Sequence, residues 1–219
     1  MIVSDYTLEI VNLTMKFHTL SGETEAVDNF SLNVKEGEFV SIVGPSGCGK
    51  STILSLIAGL ITPSSGKIYI DGEEVLGPTN KIGYMFQKDN LFEWRTIFQN
   101  VSIGLEIQHK NTAEKKNKLE DMLTKYGLKS FRNYYPRQLS GGMRQKVALI
   151  RTLSLSPDIL LLDEPFSALD YQTRLAVSDE IGAILKSEQK TAILVTHDIS
   201  EAISMADRVV ILTMRPANI

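Results

Sequence analysis

An α/β fold with a helical block set into it is predicted by three observations. Short apolar segments bounded by Gly, Pro and Asp-Gly signals recur up to residue 87; between Lys88 and Pro157 the apolar period becomes helical; after Pro157 strand-like runs return. Strand signals on both sides of one helical block predict a single core, 1–87 with 158–219, carrying a helical subdomain at 88–157. A chain of 219 residues, 43% hydrophobic and 22% charged, is long enough to bury such a core.

The elements follow in order. Strands are predicted at Tyr6–Val11, Phe30–Val34, Phe39–Val43, Lys67–Ile70 and Ile82–Phe86, from β-rich or alternating composition between turn signals. A helical run, Ile53–Leu60, follows the third of these. In the middle block Leu119, Met122, Leu123 and Tyr126 fall at the i, i+3, i+4, i+7 spacing of an amphipathic helix. Two buried-strand candidates, Ile159–Leu162 and Thr191–Val195, flank a helix at Tyr171–Lys186 and form a βαβ unit.

Bulk properties exclude several functions. A formal charge of -3 gives no basic footprint for nucleic acid, and none is expected as a partner. The single cysteine, Cys48, can form neither an internal disulfide nor a zinc site. No apolar run approaches the roughly 20 residues that span a bilayer, and MIVSDYTLEI lacks the pattern of a secretory leader. The run Lys110–Lys118 is interleaved with Glu114 and followed by Glu120 and Asp121, as on a solvated helix face.

The strongest motif is GPSGCGKST: Gly44, Pro45, Ser46, Gly47, Cys48, Gly49, Lys50, Ser51 and Thr52. It matches G-x-x-x-x-G-K-[ST] and lies between a strand and a helix, the context a phosphate loop requires. Its glycines let successive N–H groups turn inward, and the following helix adds its positive end. A polyphosphate is the natural guest: Lys50 is expected to reach its β and γ phosphates, and the Ser51 hydroxyl to ligate Mg²⁺. Cys48 is expected to contribute its small size and its backbone N–H.

DILLLDEP, 158–165, ends an apolar strand in two carboxylates, where α/β sheets place ligands. Asp163 is assigned to the Mg²⁺ shell. Glu164 points elsewhere and is assigned to orient a water for in-line attack on the γ phosphate. His197 and Gln87 occupy two further strand ends, His197 to reach the γ phosphate and Gln87 to sense the metal or the water.

A second glycine-rich segment, LSGGMRQ at 139–145, opens a helix predicted at Met143–Leu153. With it the order is complete: phosphate loop, Gln87, LSGGMRQ, DILLLDEP, SALD at 167–170, then His197. In this order and spacing the chain resembles the nucleotide-binding subunits of ABC transporters over nearly its whole length. Met143 replaces the usual glutamine of LSGGQ. LFEWRT at 91–96, LSGGMRQKVALIRTL and ILTMRPANI resemble the nitrate, sulfonate and taurine importer subgroup, with Glu93 where that subgroup usually has proline.

The resemblance implies a RecA-like P-loop NTPase core with an N-terminal antiparallel β region. It implies a Mg-dependent ATPase whose chains pair head to tail as a homodimer with ATP, the loop of one and Ser140, Gly141 and Gly142 of the other enclosing each nucleotide. Phe17 matches an aromatic that stacks on adenine, with an ordinary core position as the alternative. Asp170 matches the acidic end of the loop linking the two halves of the dimer. Residues 88–100, with Trp94 and Arg95, match the region that receives a membrane permease subunit, although Trp94 buried in the helical subdomain fits the sequence as well. An extracytoplasmic solute-binding protein is implied as an indirect partner, and a peripheral position on the cytoplasmic face of the plasma membrane. Alternatives are a soluble ABC-type ATPase without a membrane partner and a non-catalytic nucleotide switch.

Overall fold

The computed structural model describes residues 6–19 and 22–218. Half of the N-terminal segment MIVSDYTLEI, Met1–Asp5, lies outside them, as do Leu20, Ser21 and Ile219. Two sheets form the frame. The first is antiparallel, in order β2-β1-β4-β5, from β1 (Leu8–Thr19), β2 (Gly22–Val34), β4 (Ser65–Ile70) and β5 (Glu73–Glu74). The second is parallel, in order β6-β7-β8-β3-β9, from β3 (Phe39–Val43), β6 (Ile82–Met85), β7 (Ile159–Asp163), β8 (Thr191–Thr196) and β9 (Arg208–Ile211).

The central parallel strands β3, β7 and β8 bury both faces, so they read as nearly continuous apolar runs. Their alternation divides two cores. Val40, Ile42, Ile159, Leu161, Ile193 and Val195 face α1 (Lys50–Ile57) and the antiparallel sheet. Phe39, Leu160, Leu162, Ala192 and Leu194 face the other helices: α2 (Ile97–Ile107), α3 (Ala113–Lys125), α4 (Gly141–Leu153), α5 (Tyr171–Ser187) and α6 (Ile199–Met205). Through Val147, Leu149, Ile150 and Leu153, α4 shares that core both with α2 and with the sheet.

The hairpin of β1 and β2 is longer than the predicted Tyr6–Val11 and Phe30–Val34. Its outer part pairs polar residues: Lys16 with Glu23 at 3.0 Å and Glu25 at 3.5 Å, and His18 with Glu23 at 3.5 Å. Cross-strand charge holds that ribbon, and apolar alternation could not reveal it. Asn12 and Asn29 both have left-handed φ, near 48° and 47°, where the β1–β2 register shifts. The short α6 and the edge strand β9 were also not predicted. In β9 only Val210 is buried. The helix opening with LSGGMRQ starts at Gly141, two residues before the predicted Met143, because Ser140 caps it by accepting from Met143 N.

The C-terminal segment returns to β2. Val27 bridges Ala217 in parallel, Asp28 N donates to Ala217 O at 3.1 Å, and Ala217 N donates to Ala26 O at 3.0 Å. These residues form the floor of the loop between β3 and α1. A Cβ on Gly49, whose φ is 123°, would lie 2.5 Å from Ala26 O and 3.1 Å from Ala217 Cβ. Only glycine fits there.

Candidate functional site: a phosphate loop facing an acidic strand end

The loop 44–52 leaves β3 and enters α1, with Gly47 (φ 75°) and Gly49 in the left-handed region. Gly44 is needed for packing, since a Cβ would meet Cys48 Sγ at 3.0 Å and Leu212 Cβ at 3.1 Å. Cys48 is buried, and its backbone N–H, the group expected to matter, donates to Pro45 O at 3.3 Å. Lys50 is 5% exposed, and its ammonium donates to Gly44 O at 2.8 Å and Pro45 O at 2.9 Å. Two of its three donors thus brace the loop, leaving one for a guest.

Across a cavity of about 340 Å³ that Ser46, Gly47, Lys50 and Thr52 line, Gln87 and Glu164 face the loop. Ser51 Oγ donates to Asp163 Oδ1 at 2.8 Å, and Tyr84 OH donates to Asp163 Oδ2 at 3.1 Å. Burial pushes the Asp163 carboxyl up from its ordinary value, against the pull of the Ser51 and Tyr84 bonds. Burial likewise raises the Tyr84 phenol, helped by the Asp163 charge, so Tyr84 stays a donor. Tyr84 was missed from sequence because a tyrosine inside a strand carries no motif. Arg215, which also lines the cavity, lies within ILTMRPANI but was given no role there, because only the fold brings the C-terminal segment to the loop.

Glu164 has φ 44°, an unfavourable conformation for a non-glycine residue. Its N–H donates to Val195 O at 2.8 Å, which fixes the backbone turn and swings the side chain off the line of β7. His197 Nδ1 lies 3.1 Å from Glu164 Oε2. Gln87 Nε2 lies 3.5 Å from the same oxygen and 3.3 Å from Ser167 Oγ, which itself donates to Glu164 O. The structure therefore brings Lys50, Ser51, Gln87, Asp163, Glu164 and His197 together.

Among the described residues no cluster of three or more His, Cys, Asp or Glu could hold a metal. The donor set fits Mg²⁺ nonetheless. Ser51 offers a hydroxyl beside one carboxylate, and Gln87 spends its amide nitrogen on Glu164 and Ser167, leaving its oxygen as acceptor. A cation that takes most of its ligands from phosphate and water needs no more from the protein.

Phe17, Ser140, Gly141, Gly142 and Asp170 lie outside this cavity's lining. Phe17 is 37% exposed on β1, which removes the core alternative. Gly141 and Gly142 pack α4 against the start of α5. A Cβ on Gly142 would come within 2.9 Å of Val177 Cγ2, and one on Gly141 within 3.0 Å of Leu169 Cδ2. Asp170 caps α5, accepting from Thr173 N at 3.1 Å, and that bond holds its carboxyl below the usual range.

Trp94 is 74% exposed, so its burial in the helical block is excluded. It packs against Phe92 on a loop stapled to α4. Arg144 grips Asp89 with two bonds, Nε to Oδ2 at 2.8 Å and Nη2 to Oδ1 at 3.1 Å, and reaches Glu93 at 2.9 Å. Arg151 donates to the carbonyls of Asp89 and Asn90. Burial opposes ionisation of Asp89, but the Arg144 bond and the Leu91 N–H outweigh it, and its carboxyl is held below the ordinary range. A lowered carboxyl contributes stability that is present above its unfolded value and lost as pH falls through the folded one. Thermal unfolding should therefore show Asp89→Asn less stable than the native chain at pH 7, with the gap closing below about pH 4, the unfolded range. A gap that widens on acidification would contradict the ion pair.

A phosphate loop, an acidic strand end and a glycine-opened helix on one α/β frame define an ABC-type ATPase. The chain belongs to the ABC transporter family, matching it over residues 27–167. It is 44% identical over 212 residues to the nitrate import ATP-binding protein of Synechocystis, covering 97% of this chain and 80% of that one. It is 39% identical over 213 residues to the aliphatic sulfonates import ATP-binding protein of Bacillus cereus, covering 97% and 84%. Among solved structures, a dimeric ATP-binding cassette in a post-hydrolysis state, bound to ADP and Pi, superposes with a TM-score of 0.82. It is 34% identical, covering 97% of this chain and 96% of that one.

Proposed function

We propose that the chain is the ATP-hydrolysing subunit of an import system for a small solute such as nitrate, a sulfonate or taurine. Two copies pair head to tail, and each ATP lies between the loop 44–52 of one and Ser140–Gly142 of the other. The observation that carries this reading is the position of Ser140, Gly141 and Gly142, outside the cavity that their own chain's phosphate loop lines. A helix N-terminus with free N–H groups suits a polyphosphate, so its guest is supplied by a partner.

Within each site Lys50 and the loop N–H groups hold the β and γ phosphates. Glu164 accepts a proton from a water whose oxygen forms the new bond to the γ phosphorus as the bond to the β-phosphate oxygen breaks. His197, with Nδ1 on Glu164, reaches the γ phosphate, Phe17 stacks on adenine, and Asp170 meets the partner chain. Ser51 and the Asp163 and Gln87 side chains would hold Mg²⁺, which would supply charge neutralisation at the phosphates. Loss of the γ phosphate then opens the dimer, a two-state change that works on a membrane permease docked at 88–100, where exposed Trp94 supplies the anchor. The 88–157 block acts as the moving subdomain, on the cytoplasmic face of the membrane, and a solute-binding protein feeds the permease from outside. No helix among the described residues is long and apolar enough to cross a membrane.

Ser140→Arg tests the dimer. The substitution removes a cap worth about 1 kcal/mol and sets a bulky cation at the pairing face. ATP binding to the monomer should stay near native while MgATP-driven dimerisation on size-exclusion chromatography, and with it turnover, disappears. Native turnover in this variant would refute the head-to-tail site.

A further inference from the structure

We infer that Arg174 is a positioning residue that passes closure of the dimer face to His197 and Glu164 within the same chain. The inference rests on the head-to-tail reading above. Arg174 lies in the second turn of α5 with its side chain 20% exposed. Its Nη2 donates to Leu169 O at 3.0 Å, and its Nη1 donates to Asp198 Oδ2 at 3.4 Å. Its Nε is buried without a hydrogen-bond partner, 3.9 Å from Glu201 Oε1.

Each end of this guanidinium meets a functional loop. Leu169 precedes Asp170, and its side chain fills the space where a Cβ on Gly141 would stand. The two segments assigned to the partner's face therefore touch each other at the residue Arg174 holds. At the other end, both neighbours of His197 are fixed by the same cluster. Asp198 N donates to Thr196 Oγ1 at 3.0 Å, Thr196 Oγ1 donates to buried Glu201 Oε2 at 2.6 Å, and Asp198 Oδ1 caps α6 through Ser200 N and Glu201 N. His197 stands between these anchors with Nδ1 on Glu164.

A continuous set of contacts thus runs from Gly141 and Leu169 through Arg174 and Asp198 to His197 and Glu164. The unsatisfied Nε and the long 3.4 and 3.9 Å contacts mark an arginine that is under-bonded in this arrangement. A small shift of Leu169 toward α5 on closure brings the guanidinium onto Asp198 and Glu201 and tightens the loop that carries His197. A well-packed ionic cluster with two discrete arrangements can transmit such a shift.

The test separates position from binding and from fold. Arg174→Gln should lower kcat about 10- to 100-fold, the cost of misplacing a catalytic group by a fraction of an ångström to an ångström. KM for ATP should stay within about threefold of native, because ground-state binding is untouched. In a Glu164→Gln background the same substitution should leave the MgATP dimer intact on size-exclusion chromatography. Arg174→Lys, which keeps the charge and one bond, should recover part of kcat. Asp198→Asn keeps the cap, since asparagine caps as well as aspartate, and removes the charge that Arg174 faces; it should reproduce the kcat loss and decides the matter if Arg174→Gln does not fold. An unchanged kcat in folded Arg174→Gln or Asp198→Asn overturns the inference, as does loss of the ATP-driven dimer. If the Glu164→Gln chain alone forms no MgATP dimer, the head-to-tail reading itself has failed, a result distinct from either.

Discussion

Glu164→Gln will bind MgATP with native affinity, lose turnover by about 100- to 10,000-fold, the range for removing a general base, and run as a dimer on size-exclusion chromatography with MgATP. The amide keeps the size of the side chain and its acceptor oxygen, so the bonds from Gln87 and His197 retain a partner. What is lost is the capacity to take a proton. On the proposed head-to-tail reading, binding and pairing require only the loop, the metal donors and the partner's Ser140–Gly142, all untouched. Turnover near the native rate would remove Glu164 from the mechanism, and a strictly monomeric variant with bound nucleotide would separate hydrolysis from pairing.

Lys50→Ala will instead lose nucleotide affinity, by about 10- to 100-fold if the lost interaction is a single hydrogen bond to a charged group. Titration calorimetry with ATP reads this directly. A second effect comes from the loop. The ammonium also braces the carbonyls of Gly44 and Pro45, so its removal frees the loop start and adds an ordering cost to binding. Unchanged ATP affinity would contradict the phosphate-loop reading. Comparison with Glu164→Gln is the informative pair, because one variant fails before binding and the other after it.

The motifs were legible because each consists of contiguous residues that act together from one turn of the chain. GPSGCGKST, DILLLDEP and LSGGMRQ all survive as local units, and β3, β7 and β8 were readable because parallel strands bury both faces. Residues that act across the sheet were not legible. Tyr84 reaches Asp163 from a neighbouring strand, and Arg174 joins Leu169 to Asp198 from a helix; neither partnership exists until β6, β7 and β8 are side by side. The outer hairpin escaped because ion pairs hold it. The exposure of Phe17 and Trp94 could not be decided from sequence either, since an aromatic in a strand or loop reads the same whether it faces core or solvent.

The floor beneath Gly49 ties two distant parts of the chain to one small event. Ala26 and Ala217 are clasped to each other, and the phosphate loop rests on the clasp. Whatever grips phosphate there also favours the clasped form, and by reciprocity a firm clasp favours the grip. The loop thus acts as a proofreader of its own chain: a molecule cut ahead of Ala217 keeps every residue assigned to the nucleotide site yet loses the seat on which the loop is set. Nucleotide affinity, in this architecture, is a measure of whether β2 and the segment that follows β9 have found each other.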